Sequence, residues 1–195
     1  MKLGILGGTF DPAHFAHLII AEYVRAELSL NKILFIPAAI PPHKQNVSIS
    51  SPSHRLAMLH LAVSGNPSFD VYDFEITQGG VSYTIDTVQN VKKNYKLSAS
   101  DTYVIMGSDN MNTIQNWRRP EDLVHECRIV VVQKSDNKLG ELPSYMSNKV
   151  VEVKTPLMQI SSTDIRERVR EGKSIKYLVP DAVVQFIQEK GLYRS

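Results

Sequence analysis

Two histidines three residues apart, His14 and His17, follow a double glycine in the stretch "KLGILGGTFDPAHFAH" (residues 2–17). At this spacing near a helix start, both imidazoles face one side. Each can donate a hydrogen bond to a phosphate oxygen. Gly7 and Gly8 let the backbone come close to a ligand, and the helix that follows offers free N–H groups and the positive end of its dipole. The pattern is neither G-x-G-x-x-G nor G-x-x-x-x-G-K-[ST], so neither of those phosphate loops applies. Three other uses compete. The histidines could be a packed core pair. They could bind a metal with Asp11, although no third spaced ligand is evident. They could serve nucleophilic catalysis, although the sequence offers no matched partner.

A second cluster is "ISSTDIR" (160–166). Ser161, Ser162 and Thr163 are helix-opening residues, and Arg166 falls within the first turn. Hydroxyls, free amides and a guanidinium in that order suit a polyphosphate. The plainer alternative is an ordinary cap beside a solvated arginine. A third cluster, "YVIMGSDNMNTIQNW" (103–117), sets Gly107 and Asp109 directly after an apolar run. A carboxylate there can accept from ribose hydroxyls. Trp117, the single tryptophan, is either core or a stacking platform for a flat ring.

These clusters need a scaffold that brings them together. Six apolar runs read as strands: "KLGIL" (2–6), "KILFIP" (32–37), "FDVYDFEI" (69–76), "TYVIM" (102–106), "RIVVVQ" (128–133) and "KVVEV" (149–153). Most are almost wholly apolar, the mark of parallel strands buried on both faces. Helical patterns fall between or after them at "HLIIAEYVRAEL", "SPSHRLAMLHLAV", "YTIDTVQNVKKNY", "STDIRERVREG" and "VPDAVVQFIQEKG". Ser51 and Pro52 make a cap and a first helical position. The alternation predicts an α/β doubly wound, mainly parallel sheet, a single domain over 1–195 with a small helical part from about 160. Two long loops, 38–53 and 134–148, are candidate binding loops.

Composition narrows the partners. The 195 residues carry a net charge of +2, too mild to argue for nucleic acid. No run approaches the ~20 apolar residues of a membrane span, so no membrane partner is expected. The lone Cys127 allows no internal disulfide and reads as a buried thiol. "LGIL" is too short for a signal-peptide core, which points to the cytoplasm. A homodimer is compatible with the sequence and not specified by it.

With the motifs assembled, the sequence resembles the nucleotidyltransferase superfamily marked by a His-x-Gly-His element, and within it the bacterial nicotinate-nucleotide adenylyltransferase family. The matching pieces are "GGTFDPAHFAH", "PPHK" (41–44), "SYTIDT" (82–87), "GSDN…W" (107–117) and "ISSTDIR", in the expected order. Phosphopantetheine adenylyltransferases share "FDP" and "ISST" but usually carry Thr at the position of His14 and lack "PPHK". Two departures from the family pattern stand out. Ala16 replaces the usual Gly, adding a methyl at a turn against which the family places adenine. Lys134-Ser135-Asp136 replaces a frequent Arg-Pro-Gly.

The resemblance implies a Rossmann-like nucleotidyltransferase fold and transfer of the adenylyl group of ATP to nicotinate mononucleotide, with Mg²⁺ carried on the ATP phosphates. It implies catalytic roles for His14, His17 and Arg166. It places ATP against Gly7, Gly8, Thr9, Phe10, Gly107, Asp109, Ser161, Ser162 and Thr163. The mononucleotide falls to Lys44, Tyr83, Thr84 and Trp117, with the Thr9 and Phe10 amides helping to position its phosphate. No protein-bound metal is expected. Relatives using nicotinamide mononucleotide or phosphopantetheine, and a nucleotide sensor without turnover, are the alternatives.

Overall fold

The computed structural model describes residues 1–40, 49–133, 142–146 and 148–194. Among them, six strands form one sheet: β1 (Leu3–Gly8), β2 (Lys32–Pro37), β3 (Phe69–Val71), β4 (Thr102–Gly107), β5 (Arg128–Val132) and β6 (Val150–Val153). Their order is β3-β2-β1-β4-β5-β6. Every pairing is parallel. The expected doubly wound α/β fold is therefore present.

The near-continuous apolar strands are explained by burial on both faces. Leu3 and Ile5, Leu34 and Ile36, Val104 and Met106, and Ile129 and Val131 belong to one core. The residues between or beside them, Leu6, Ile33 and Phe35, Tyr103 and Ile105, and Val130 and Val132, belong to the other. Side chains alternate across a strand, so both faces need a helical cover. One face is covered by α1 (Phe15–Glu27), α2 (Pro52–Val63), α7 (Ser162–Arg170) and α8 (Asp181–Glu189). The other is covered by α4 (Thr84–Tyr95) and α6 (Pro120–Glu126). Short helices α3 (Phe74–Gln78) and α5 (Ser108–Met111) complete the set.

One expected strand is shorter than the apolar run implies. "FDVYDFEI" pairs with β2 only through Phe69–Val71, and Phe74 onward is helix α3. β3 is an edge strand, so a single partner holds it, and the Tyr72 N–H makes one further bond to the Phe35 carbonyl. A short apolar run cannot be told from a short buried helix by periodicity alone.

The caps follow the sequence signals. The Ser51 hydroxyl accepts from the His54 N–H, and Pro52 takes the first position of α2. The Ser161 hydroxyl accepts from the Asp164 N–H at the start of α7. Cys127 is buried, and burial pushes its thiol up to about 12. Among the described residues, no helix is long and apolar enough to cross a membrane.

Candidate active site

In open parallel sheets, ligands bind beyond the carboxyl ends of strands where the winding reverses. Here the chain runs outward from β1 to β2 and β3, then returns to place β4 on the other side of β1. The switch point lies between β1 and β4. Gly7 and Gly8 close β1 there, and Gly107 closes β4 beside them. Among the described residues, no atom beyond its chain neighbours lies within 4 Å of where a Gly7 Cβ would stand, whereas a Gly8 Cβ would meet the Phe10 ring at 3.0 Å. Gly7 thus faces open space, and Gly8 is glycine because Phe10 folds back over it.

The turn after β1 carries the histidines. His14 is the N-cap residue of α1 and is 5% exposed. Its ring stacks on His17 with centroids 3.7 Å apart, and the Phe10 ring meets His17 edge-on at 5.0 Å. The His14 N–H donates to His17 Nδ1 at 3.3 Å. That contact fixes the tautomer of a neutral His17, whose remaining proton must sit on Nε2. His17 is therefore a donor with a set orientation. The two imidazoles share one face, as the spacing predicts.

The second cluster meets the first. Arg166 Nη1 donates to the Asp11 carbonyl at 2.9 Å, and the Ser162 hydroxyl donates to the Pro12 carbonyl at 2.9 Å. Arg166 Nη2 also reaches Thr163 Oγ1 at 3.4 Å. The sequence grouped the three hydroxyls as one ligand-facing set. The structure instead assigns the Ser161 hydroxyl to capping and the Ser162 hydroxyl to docking α7 onto the histidine turn.

The remaining candidates flank this centre. Asp109 is exposed in α5, immediately past β4. Tyr83 is the N-cap residue of α4 and Thr84 its first residue. Their turn is tied to the end of β2, because the Ser82 N–H donates to the Ile40 carbonyl and the Ala39 N–H donates to the Ser82 hydroxyl. Among the described residues, no acceptor takes the Tyr83 or Thr84 N–H. The Trp117 Nε1–H is buried and likewise meets no acceptor there. Arg118 stacks over the Tyr83 ring at 4.5 Å. Lys44 and the rest of "PPHK" lie outside the described residues, as do Lys134, Ser135 and Asp136. Ala16 is 4% exposed.

The residues behind the site escape motif reading. Arg55 is 0% exposed and spends its fork on three carbonyls: Nη1 on Thr9 at 2.8 Å, Nη2 on Ala39 at 3.1 Å and Nε on Ser50 at 3.1 Å. Burial lowers its pKa, and the Asp11 carboxylate nearby offsets that. The Asp11 carboxylate accepts from the Ser50 N–H and the Tyr193 hydroxyl. It is thus committed to the scaffold. Among the described residues, no three His, Cys, Asp or Glu side chains group to hold a metal ion. On the other side of the site, Glu75 accepts from Thr87 Oγ1 at 2.5 Å, and burial raises its pKa. A signal for Arg55 did exist. It shares a helical stripe with Met58, Leu59 and Ala62, all buried.

Comparison with known proteins agrees with this geometry. A cytidylyltransferase-like family model matches residues 5–168. A probable nicotinate-nucleotide adenylyltransferase of Thermoanaerobacter sp. (strain X514) is 40% identical over 202 residues, covering 100% of this chain and 95% of its own. Another, from Geobacillus thermodenitrificans, is 42% identical over 192 residues, covering 98% and 86%. Among solved structures, Plasmodium falciparum nicotinic acid mononucleotide adenylyltransferase complexed with NaAD superposes with a TM-score of 0.80 at 21% identity, covering 98% of this chain and 97% of that one. That last likeness is one of fold. The sheet order, the histidine turn at its switch point and the full-length identity agree: the chain belongs to the cytidylyltransferase-like family, among the nicotinate-nucleotide adenylyltransferases.

Proposed function

We infer that the protein transfers the adenylyl group of MgATP to nicotinate mononucleotide, giving nicotinate adenine dinucleotide and pyrophosphate. The observation that carries the reading is the seating of His17. Its Nδ1 accepts from the His14 N–H at the switch point of the sheet, which puts the proton of the neutral ring on Nε2 and sets the ring's orientation.

The chemistry asks for little more. A phosphate monoester has a second pKa near ~6, so the nucleophile is already largely ionised at neutral pH. One of its oxygens attacks the α-phosphorus of ATP. The bond from that phosphorus to the bridging oxygen breaks, and pyrophosphate leaves with the electron pair. The protein must align two phosphates and stabilise the charge that develops. His17 Nε2–H and His14 donate to the α-phosphate and bridging oxygens. Arg166, together with the Ser162 and Thr163 amides at the start of α7, holds the β and γ phosphates. Magnesium arrives with the triphosphate, held through phosphate and water. Gly107 and Asp109 take the adenosine side.

The pyridine ring falls between Trp117 and the start of α4. The spare Tyr83 and Thr84 N–H groups favour a carboxylate over an amide there, because a carboxylate only accepts hydrogen bonds. The direct test mixes purified protein with ATP, Mg²⁺ and nicotinate mononucleotide and follows pyrophosphate and dinucleotide. Stoichiometric release of both is expected. ATP binding without pyrophosphate release would instead make the protein a nucleotide sensor.

A further inference from the structure

Asp11 is 1% exposed, and it is gripped from three elements. Its carbonyl accepts from Arg166 of α7. One carboxylate oxygen accepts from the Ser50 N–H at the entrance to α2, at 3.1 Å. The other accepts from the hydroxyl of Tyr193, which lies past the end of α8, at 2.6 Å. Two residues before Asp11, the Thr9 carbonyl is held by buried Arg55. Phe10, between them, has φ = 49°, a left-handed conformation that non-glycine residues rarely adopt. Such backbone persists when its surroundings over-determine it. The contacts on Thr9 and Asp11 supply that determination, and Phe10 in turn packs against His17.

Tyr193 is delivered at a similar conformational cost. Gly191 has φ = 60° and Tyr193 itself φ = 64°. These bends turn the phenol inward to Asp11, with Met58 Sδ at 3.8 Å and the Ser50 side chain as further contacts of its hydroxyl. Burial and the neighbouring Asp11 carboxylate push the phenol far above its ordinary range. It therefore keeps its proton and remains the donor.

We propose that Tyr193 is a positioning residue for the reaction: through Asp11 it fixes the Thr9–Pro12 turn, and with it the seating of His14 on His17. The proposal rests on the adenylyl-transfer reading for its kinetic consequence. Its structural consequence does not depend on any substrate. A hydrogen bond to a buried carboxylate is in the stronger class, and losing one corresponds to roughly 10-fold or more in an equilibrium.

The test is Tyr193→Phe in the full chain, which removes one oxygen and keeps the ring. Two readouts are taken beside the melting temperature. The first is kcat and KM for ATP and for nicotinate mononucleotide. The second is amide-resolved hydrogen exchange at Ser50, which donates to Asp11, and at His14, which donates to His17, with β4 amides as the reference. Exchange at Ser50 and His14 should rise about 10-fold with β4 unchanged, and kcat/KM should fall about 10-fold or more. A lower melting temperature with unchanged exchange at both amides and unchanged kinetic constants would overturn the proposal and leave Tyr193 a packing residue. Absence of product from the wild type would tell against the adenylyl-transfer reading alone, and the exchange result would still decide the role of Tyr193.

Discussion

On the side of the site proposed to hold the phosphates, the groups that support the histidine turn are tied to one another. Arg55 satisfies three carbonyls, Asp11 holds Ser50 and Tyr193, and Arg166 and Ser162 tie α7 to the histidine turn. On the ring side, the start of α4 has Tyr83 and Thr84 N–H groups with no acceptor among the described residues, and Trp117 has a buried indole N–H in the same condition. Its tyrosine is partly exposed and covered by an exposed arginine. The contrast matches two tasks. Aligning phosphates for in-line transfer rewards fixed geometry. Recognising one ring substituent needs donors that the protein leaves for the substrate to satisfy.

The two sides should therefore break differently. Arg55→Met is the most damaging change expected. It leaves the Thr9, Ala39 and Ser50 carbonyls unpaired and Asp11 without its countercharge, so chemical denaturation should show a loss of about 3–5 kcal/mol. A loss below ~1 kcal/mol would mean that the phosphate side is not held from behind.

His17→Ala should leave stability nearly intact and lower kcat by ~10²–10³, the range for removing a donor that acts in the transition state, with a small change in KM for ATP. A raised KM at normal kcat would move His17 from chemistry to binding.

Trp117→Ala probes the other side. It should weaken nicotinate and nicotinamide mononucleotides alike, by about 10-fold, because stacking does not read the substituent. A change confined to one of them would put discrimination on the indole and take it from the α4 amides.

Ala16→Gly is the mildest. The methyl is buried in the protein, so the change should cost about 0.5–1 kcal/mol through lost helix propensity and move KM for ATP by less than about 2-fold. A clear gain in ATP affinity would show that the methyl does crowd the nucleotide.

The sequence made the phosphate side legible where its residues are consecutive. "GGTFDPAHFAH" and "ISSTDIR" each carry their own spacing, and the two-faced burial of the strands is written in their unbroken apolar runs. Of the supports behind the site, only Arg55 carries a local signal, its place on a buried helical stripe. Asp11 and Tyr193 are 182 positions apart, and Arg55 and Thr9 are 46 apart. Only the fold brings them together, and a buried arginine looks solvated until its helix is seen face-on. β3 is shorter than its apolar run because an edge strand ends where its single partner stops holding it. α6 lies outside the helical patterns of the sequence, although Pro120 at its start is a usable signal.

The central claim is that the spare donors at the start of α4 select an acid on the pyridine ring while the fixed phosphate side carries out adenylyl transfer. It is tested most directly by kcat/KM of the wild-type protein for nicotinate and for nicotinamide mononucleotide, at saturating MgATP. A preference for the acid on the order of 10² or more is predicted, since those donors meet a poorer match in the amide. Equal values, or a preference for the amide, would contradict it.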